Sequence, residues 1–278
     1  MKILAVADLH YALPQFDWLL RVASRYDLVI IAGDLLEGQS SVSTSAQMQV
    51  VLKYLERLRE RTKVLVCSGN HDLNYEYSTG EKYARWVQYA RSADLHTDGD
   101  SVAIGRTKFS IFPWWDGNIA KNAIARQLQA AAPSDGELWV WVYHAPPTEA
   151  AVAWSGRRHF GDDLLAEWIK QYRPAIVFAG HVHEAPFVSG GSWVERVGDT
   201  WVFNAGKQIG EIPTHICIDT ERREAVWFSI EAGIEAIGLD SPSASERHPL
   251  YEMPAWILDQ GEPSSSREST AFETTDDA

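Results

Sequence analysis

Cysteine is scarce. Only Cys67 and Cys217 occur in 278 residues, and two cysteines cannot build a disulfide framework. Both lie in apolar, strand-like runs, which predicts reduced core thiols. Basic side chains are also short. Lys and Arg number 25 against 38 Asp and Glu, for a formal net charge of -13. Tracking a nucleic-acid backbone needs Lys and Arg against its phosphates, so nucleic acid is not an expected partner. The same deficit excludes a basic membrane-surface protein. No apolar run approaches the ~18–20 residues of a membrane span. The apolar stretch 3–7 is cut by Asp8 and His10, too early for a signal peptide. A cytoplasmic protein is the expectation. No internal repeat is visible.

What is present is an ordinary globular composition. The chain is 45% hydrophobic and 11% aromatic, too apolar for global disorder. Its length is enough to bury a sizeable core without staples. The acidity is uneven. From residue 231 onward eleven acids face two bases, so that part carries -9 and residues 1–230 carry -4. This predicts one catalytic domain over residues 1–235 and an acidic extension over 236–278. Residues 249–258 are too apolar for a free linker and are expected to dock on the domain. Residues 264–278 read as disordered.

The first 72 residues alternate in period. Residues 2–7, 27–32 and 64–67 are short apolar runs of strand type. Between them, Pro14 opens a helical pattern through Phe16, Leu19, Leu20 and Ala23, and residues 45–61 form an amphipathic helix. Strand, helix, strand, helix, strand is the signature of a parallel sheet with crossover helices. Further on, residues 101–104 and 108–112 suggest a hairpin. Strands are expected at 138–143, 175–179, 193–197, 200–203, 215–218 and 225–230, with helices near 117–131 and 162–172. The strand at 225–230 is expected to be the last of the body.

Five of these strands end in chemistry-bearing side chains. The clusters are Asp8 with His10, then Asp34, then Asn70, His71 and Asp72, then His144, then His181 with His183. In an open α/β sheet, ligands bind outside the carboxyl ends of strands, so clusters far apart in sequence converge there. The donors are carboxylate, amide oxygen and imidazole nitrogen. That set suits Mn, Fe or Zn, with Co or Ni as alternatives, and no thiolate draws the site toward structural zinc. Asp8-x-His10 and His181-x-His183 each place two side chains on one side of an extended segment. Gly33 and Gly69 directly precede candidate ligands, and a bare backbone there permits a sharp turn and close approach.

The ordered set Asp8-x-His10, Gly33-Asp34, Gly69-Asn70-His71-Asp72, His144 and Gly180-His181-x-His183 resembles the calcineurin-like metallophosphoesterases. The resemblance implies a mixed α/β fold, a four-layer αββα sandwich of two mixed sheets with helices outside. It also implies a binuclear site of two divalent transition metal ions. Asp8, His10, Asp34 and His183 would hold one ion. Asp34 would bridge to a second, held by Asn70, His144 and His181. His71 would contact the phosphate or act as general acid, with Asp72 orienting it. Glu37 stands where the family often has a second acid and is expected beside the site or facing solvent.

The implied activity is hydrolysis of a small phosphoester by in-line attack of a hydroxide bridging two metals, which also clamp the reacting oxygens. A phosphodiester is preferred over a monoester because no cap domain or long insertion encloses a particular monoester. A phosphomonoesterase, a nuclease on the same site and a non-catalytic scaffold of the same fold stay open. Arg157 is a candidate for bidentate contact with a phosphate, against a solvated loop. Trp114 and Trp115 are candidates for stacking at the substrate mouth, against core packing.

Overall fold

The computed structural model describes residues 1–134 and 136–258. The disorder expected for 264–278 therefore concerns residues outside those described. The chain opens with β1 (Lys2–Val6), α1 (Leu13–Val22), β2 (Leu28–Ala32), α2 (Thr44–Arg59) and β3 (Lys63–Cys67), the alternation expected from period alone. Pro14 sits in the first turn of α1, where its missing N–H costs nothing. Ser43 caps α2 by accepting the Ala46 N–H at 3.4 Å.

Two short strands follow, β4 (Tyr75–Glu76) and β5 (Lys82–Tyr83), then β6 (Leu95–His96), β7 (Ser101–Ile104) and β8 (Thr107–Ile111). Next come α3 (Asn118–Ala130), β9 (Leu138–Val142), α4 (Asp163–Tyr172), β10 (Ile176–Ala179), β11 (Val194–Val197) and β12 (Thr200–Asn204). The series closes with β13 (His215–Asp219), β14 (Glu224–Ser229), β15 (Gly233–Gly238), β16 (His248–Leu250) and α5 (Ala255–Leu258).

The strands form two large mixed sheets. The first has the order β16-β15-β14-β13-β1-β2-β3-β6, and the second β11-β12-β10-β9-β8-β7. β1, β2 and β3 are parallel and in step, with Val6 opposite Ile31 and Ile31 opposite Val66. β8, β9 and β10 are likewise parallel, with Ile111 and Phe178 both opposite Val142. Each sheet therefore presents a row of carboxyl ends at one edge.

Strand alternation sorts the apolar side chains into three layers. Ile3, Ala5, Ile30, Leu65, Phe109, Val140 and Phe178 fill the space between the sheets. Leu4, Val6, Val29 and Val64 face the opposite way, onto Phe16 and Leu19 of α1 and Val51 and Leu55 of α2. On the far side, Trp139, Trp141 and Val177 pack against Ile124 and Leu128 of α3 and Leu165 and Ile169 of α4. This is the αββα sandwich. Each such large apolar side chain contributes roughly 1.5–3 kcal/mol by leaving water.

The body does not end at β14. β15 pairs antiparallel with β14 from Gly233 to Gly238, and β16 pairs with β15, so the first sheet runs through the 235/236 boundary expected from composition. The physical reason is that β15 is framed by glycines and carries Glu235, which masks its strand pattern. Beyond it, Trp256 and Ile257 of α5 are buried, with Leu250 and Met253 packed beside them on the α1 side of the sheet.

Candidate metal centre

The polar clusters leave the carboxyl ends of β1, β2, β3, β9 and β10 as the strands run out at one edge. Backbone hydrogen bonds then zip neighbouring loops together. The Asp8 N–H donates to Gly33 O at 3.1 Å, and the His10 N–H to Asp34 O at 2.9 Å. The Gly180 N–H donates to His144 O at 2.8 Å. Asp8, His10, Asp34 and His181 all adopt left-handed backbone conformations, with φ of 55°, 41°, 52° and 69°. Such strain persists only where the surrounding structure enforces it, and it concentrates at functional sites.

Two glycines make the close approach possible. A Cβ on Gly33, whose φ is +86°, would meet His144 Nδ1 at 2.4 Å. A Cβ on Gly69 would meet Asp34 Oδ1 at 2.2 Å. Side chains of the site occupy the space these glycines leave.

Two groups of possible metal donors result. In the first, donor atoms of Asp8, His10, Asp34 and His183 lie within 4.8 Å of one another. His10 Nε2 is 3.1 Å from His183 Nε2, and His183 Nε2 is 3.1 Å from Asp8 Oδ1. In the second, Asp34, His144 and His181 meet the same condition, and Asn70 Oδ1 lies 2.9 Å from His181 Nδ1. Asp34 belongs to both. Six of the seven expected residues thus lie in these two groups, with Asn70 beside the second.

The donors fit cations. Two imidazole nitrogens facing each other at the His10–His183 distance repel unless a proton or a metal ion lies between them. His144 presents its Nδ1 to the Ala32 carbonyl at 2.7 Å, which fixes the ring and leaves Nε2 toward Asp34 Oδ2 at 3.1 Å. That Nε2 is buried and has no hydrogen bond. A metal-binding histidine is held in this manner by its other nitrogen.

The electrostatics agree. Burial alone would raise the Asp8 carboxyl, but the His144 charge and the imidazoles of His10 and His183, at 3.7 and 3.1 Å, outweigh it and hold it far below the ordinary range. For Asp34, burial and the Asp8 charge raise the carboxyl, while His144 and the His71 N–H lower it, with a net downward result. Burial disfavours a charged His144, yet Asp34 and Asp8 raise it to about 10. Burial and then the His144 charge push His181 down to about 4. Anionic carboxylates and a neutral imidazole are the forms that bind metal, so Asp8, Asp34 and His181 already stand in those forms, whereas His144 would give up its proton as an ion binds.

A third group lies alongside. His10, Glu37 and His71 bring donor atoms within 4.8 Å. The His10 and His71 rings meet edge-on at 4.7 Å, and Glu37 Oε2 is 3.4 Å from His10 Nδ1. Burial opposes ionisation of Glu37, but the Gln39 N–H and the charges of His10, His71 and Lys207 hold its carboxyl below the ordinary value. Lys207 escaped the sequence reading. Its N–H donates to His183 O at 3.2 Å.

Two expectations need correction. Asp72 does not spend its carboxylate on the His71 ring. It accepts the N–H groups of Leu35, Leu36 and Gly69 at 2.8–3.3 Å, so it braces the loop that carries Asp34. Burial and the Asp34 charge push it up to about 8 against those donors. Trp115 is buried, stacked on Tyr143 at 4.1 Å and edge-on to Trp168 at 5.4 Å, and belongs to the core. Arg157 is exposed on the turn after Trp154, and no contact joins it to the clusters among the described residues. Trp114, by contrast, is half-buried with its ring 5.2 Å from His181 and 5.7 Å from His144.

Residues 1–185 match the family model described as calcineurin-like phosphoesterase. The chain belongs to that family. The calcineurin-like phosphoesterases use divalent metals and hydrolyse phosphoester bonds, and the ligand clusters lie within the matched residues. Among solved structures, the protein TT1561 of Thermus thermophilus is 13% identical, with a TM-score of 0.52 over 86% of this chain and 98% of that one. The purple acid phosphatase PPD1 of yellow lupin (Lupinus luteus) is 12% identical, with a TM-score of 0.53 over 97% of this chain and 57% of that one. At these identities the likeness concerns the fold alone. No curated protein matches the sequence. No helix among the described residues is long and apolar enough to cross a membrane.

Proposed function

We propose that this calcineurin-like phosphoesterase hydrolyses phosphodiesters at a binuclear centre. One ion would be held by Asp8, His10, Asp34 and His183, the other by Asp34, Asn70, His144 and His181. The observation that carries the reading is Asp34, which belongs to two ligand sets at once. Bound there, two divalent transition ions (Mn, Fe or Zn) would supply a water that ionises near neutral pH and would offset phosphate charge.

The chain's own residues have separate tasks. Asp34 fixes the spacing of the two sets. His144, held by Ala32 O, keeps its free nitrogen aimed inward. His71 stands outside both sets, beside His10, where it can give a proton to the departing oxygen or stabilise charge on the phosphate. Glu37 adjoins His71 and His10 and keeps its carboxylate charged beside them. Asn70, His71, His181 and His183 are only half-buried, which suits a small phosphoester entering from solvent. An acidic chain suits a cytoplasmic small-molecule enzyme better than one gripping nucleic acid.

Elemental analysis together with turnover tests the reading. Two bound transition ions per chain are expected, with an aryl phosphodiester hydrolysed faster than an aryl monoester in Mn. Asp34→Asn should abolish both properties. Dominant monoester turnover would overturn the diester preference. A protein that binds no metal after supplementation and hydrolyses neither ester would be a scaffold.

A further inference from the structure

We propose that Trp114 is the platform for a planar ring on the ester group that stays attached to phosphorus. The substrate class would then be phosphodiesters whose retained alcohol carries a nucleobase or aryl ring. The inference rests on the phosphodiesterase reading above.

The geometry separates two flanks of the site. His71 lies beside His10, on the side of the first ligand set. Trp114 lies beside His144 and His181, on the side of the second. In an in-line displacement the water oxygen bonds to phosphorus as the bond to the leaving oxygen breaks, and that oxygen takes a proton. The retained ester oxygen stays bonded throughout, in an equatorial position. If His71 serves the leaving oxygen, the retained group points to another flank, and Trp114 is the aromatic face available there.

The ring is also built in place. The backbone N–H of Trp114 donates to Ser68 Oγ at 3.0 Å, which fixes the chain that carries the ring. Ser68 donates its own N–H to buried Asp98 at 2.8 Å and directly precedes Gly69 and Asn70. Downstream, Asp116 accepts the Lys82 N–H at 2.9 Å, and Glu81 accepts the Ile119 and Ala120 N–H groups at 2.7 and 2.8 Å. Beneath, Trp114 stacks on Tyr143 at 6.2 Å. A half-buried tryptophan pinned on both sides of its position, within 5.2 Å of a proposed metal-binding ring, presents a preorganised surface.

Two diesters with the same leaving group test this: phenyl para-nitrophenyl phosphate and ethyl para-nitrophenyl phosphate. Comparing variant with wild type cancels their intrinsic reactivities. Trp114→Leu should lower the phenyl-to-ethyl ratio of kcat/KM about tenfold, within the range that base–aromatic stacking contributes. The loss should fall mainly on KM. Trp114→Phe should retain most of the ratio. Calorimetric affinity for phenylphosphonate relative to ethylphosphonate should fall in parallel, without any turnover. An unmoved ratio in Trp114→Leu, with both diesters and bound metal falling together, would overturn the proposal and leave the ring as packing for His144 and His181. If wild type cleaves para-nitrophenyl phosphate but neither diester, the phosphodiesterase reading fails first.

Discussion

Gly33 and His144 compete for the same space. The missing Cβ of Gly33 would lie 2.4 Å from His144 Nδ1, the nitrogen that meets the Ala32 carbonyl at 2.7 Å. Gly33→Ala should therefore displace the ring and place alanine at a φ of +86°, a conformation costly for any residue with a Cβ. Bound metal should fall, and turnover should drop at least tenfold. Elemental analysis beside rate measurement checks this. Full metal content and full rate would mean that the ring has room to shift.

Asp34 is the carboxylate that two ligand sets need, and it lies buried beside Asp8 and Asp72. Ions that bind the folded state alone stabilise it by mass action, by ~2.7 kcal/mol at a hundredfold excess over Kd. Mn or Zn should therefore raise the Tm of the wild type by several degrees, and a chelator should reverse the rise. Asp34→Asn should lose most of the shift along with most of the rate. A variant with the wild-type shift would show that the ions bind elsewhere.

His71 stands outside both ligand sets, so its loss should divide activity from metal binding. His71→Ala should lower kcat roughly a hundredfold to ten-thousandfold, the span of general acid–base contributions. Its metal content should match wild type. Metal loss equal to that of His144→Ala would instead assign His71 to coordination.

How much of this was legible depends on where the information resides. The alternating strands and helices and the polar clusters could be read because each apolar run stops abruptly at a polar motif, as β1 does before Asp8, while the sandwich and the seven candidate ligands followed from the family resemblance. The brace formed by Asp72 could not, since its partners Leu35 and Leu36 are chosen by loop geometry. Residues 73–100 hold strands of two residues, too short for any period to show. Their use is visible only in three dimensions, where Glu81 caps α3 from a distant ribbon. Trp114 and Trp115 are adjacent and chemically identical, and only the fold sends one to the site and the other to the core.

His215 supplies a pH dependence from outside the candidate ligand set. It is buried against Trp18 and Phe228, with Nδ1 2.9 Å from the Pro213 carbonyl. Burial lowers its pKa from 6.5 to about 4, opposed by that carbonyl. The unfolded chain then takes up the proton first. The stabilisation is complete above about pH 6.5 and is lost as pH falls toward 4. The loss is on the order of 3 kcal/mol. His215→Phe should flatten the stability profile across this window by a similar amount, whatever its offset at neutral pH. Denaturant unfolding at several pH values measures it, and parallel profiles would show that His215 does not contribute.

Trp256 tests whether the segment after β16 belongs to the fold. Its ring is buried, and its Nε1–H donates to Glu224 Oε2 at 2.8 Å on β14. Ile257, Leu250 and Met253 pack in the same layer as Cys217 and Val226. Replacing a buried tryptophan by alanine costs about 3–5 kcal/mol in a rigid core. A four-residue helix can partly follow the vacated space, so about 3 kcal/mol is expected of Trp256→Ala. In thermal unfolding that corresponds to roughly 6–12 °C for a domain of this size. Glu224 is level with Asp219 and Lys2, at the amino end of β1 and away from the edge that carries the metal cluster, so kcat at a temperature well below the transition should hold. A Tm unchanged by Trp256→Ala would mean that the segment rests on the domain without stabilising it, leaving its apolar face free for another partner.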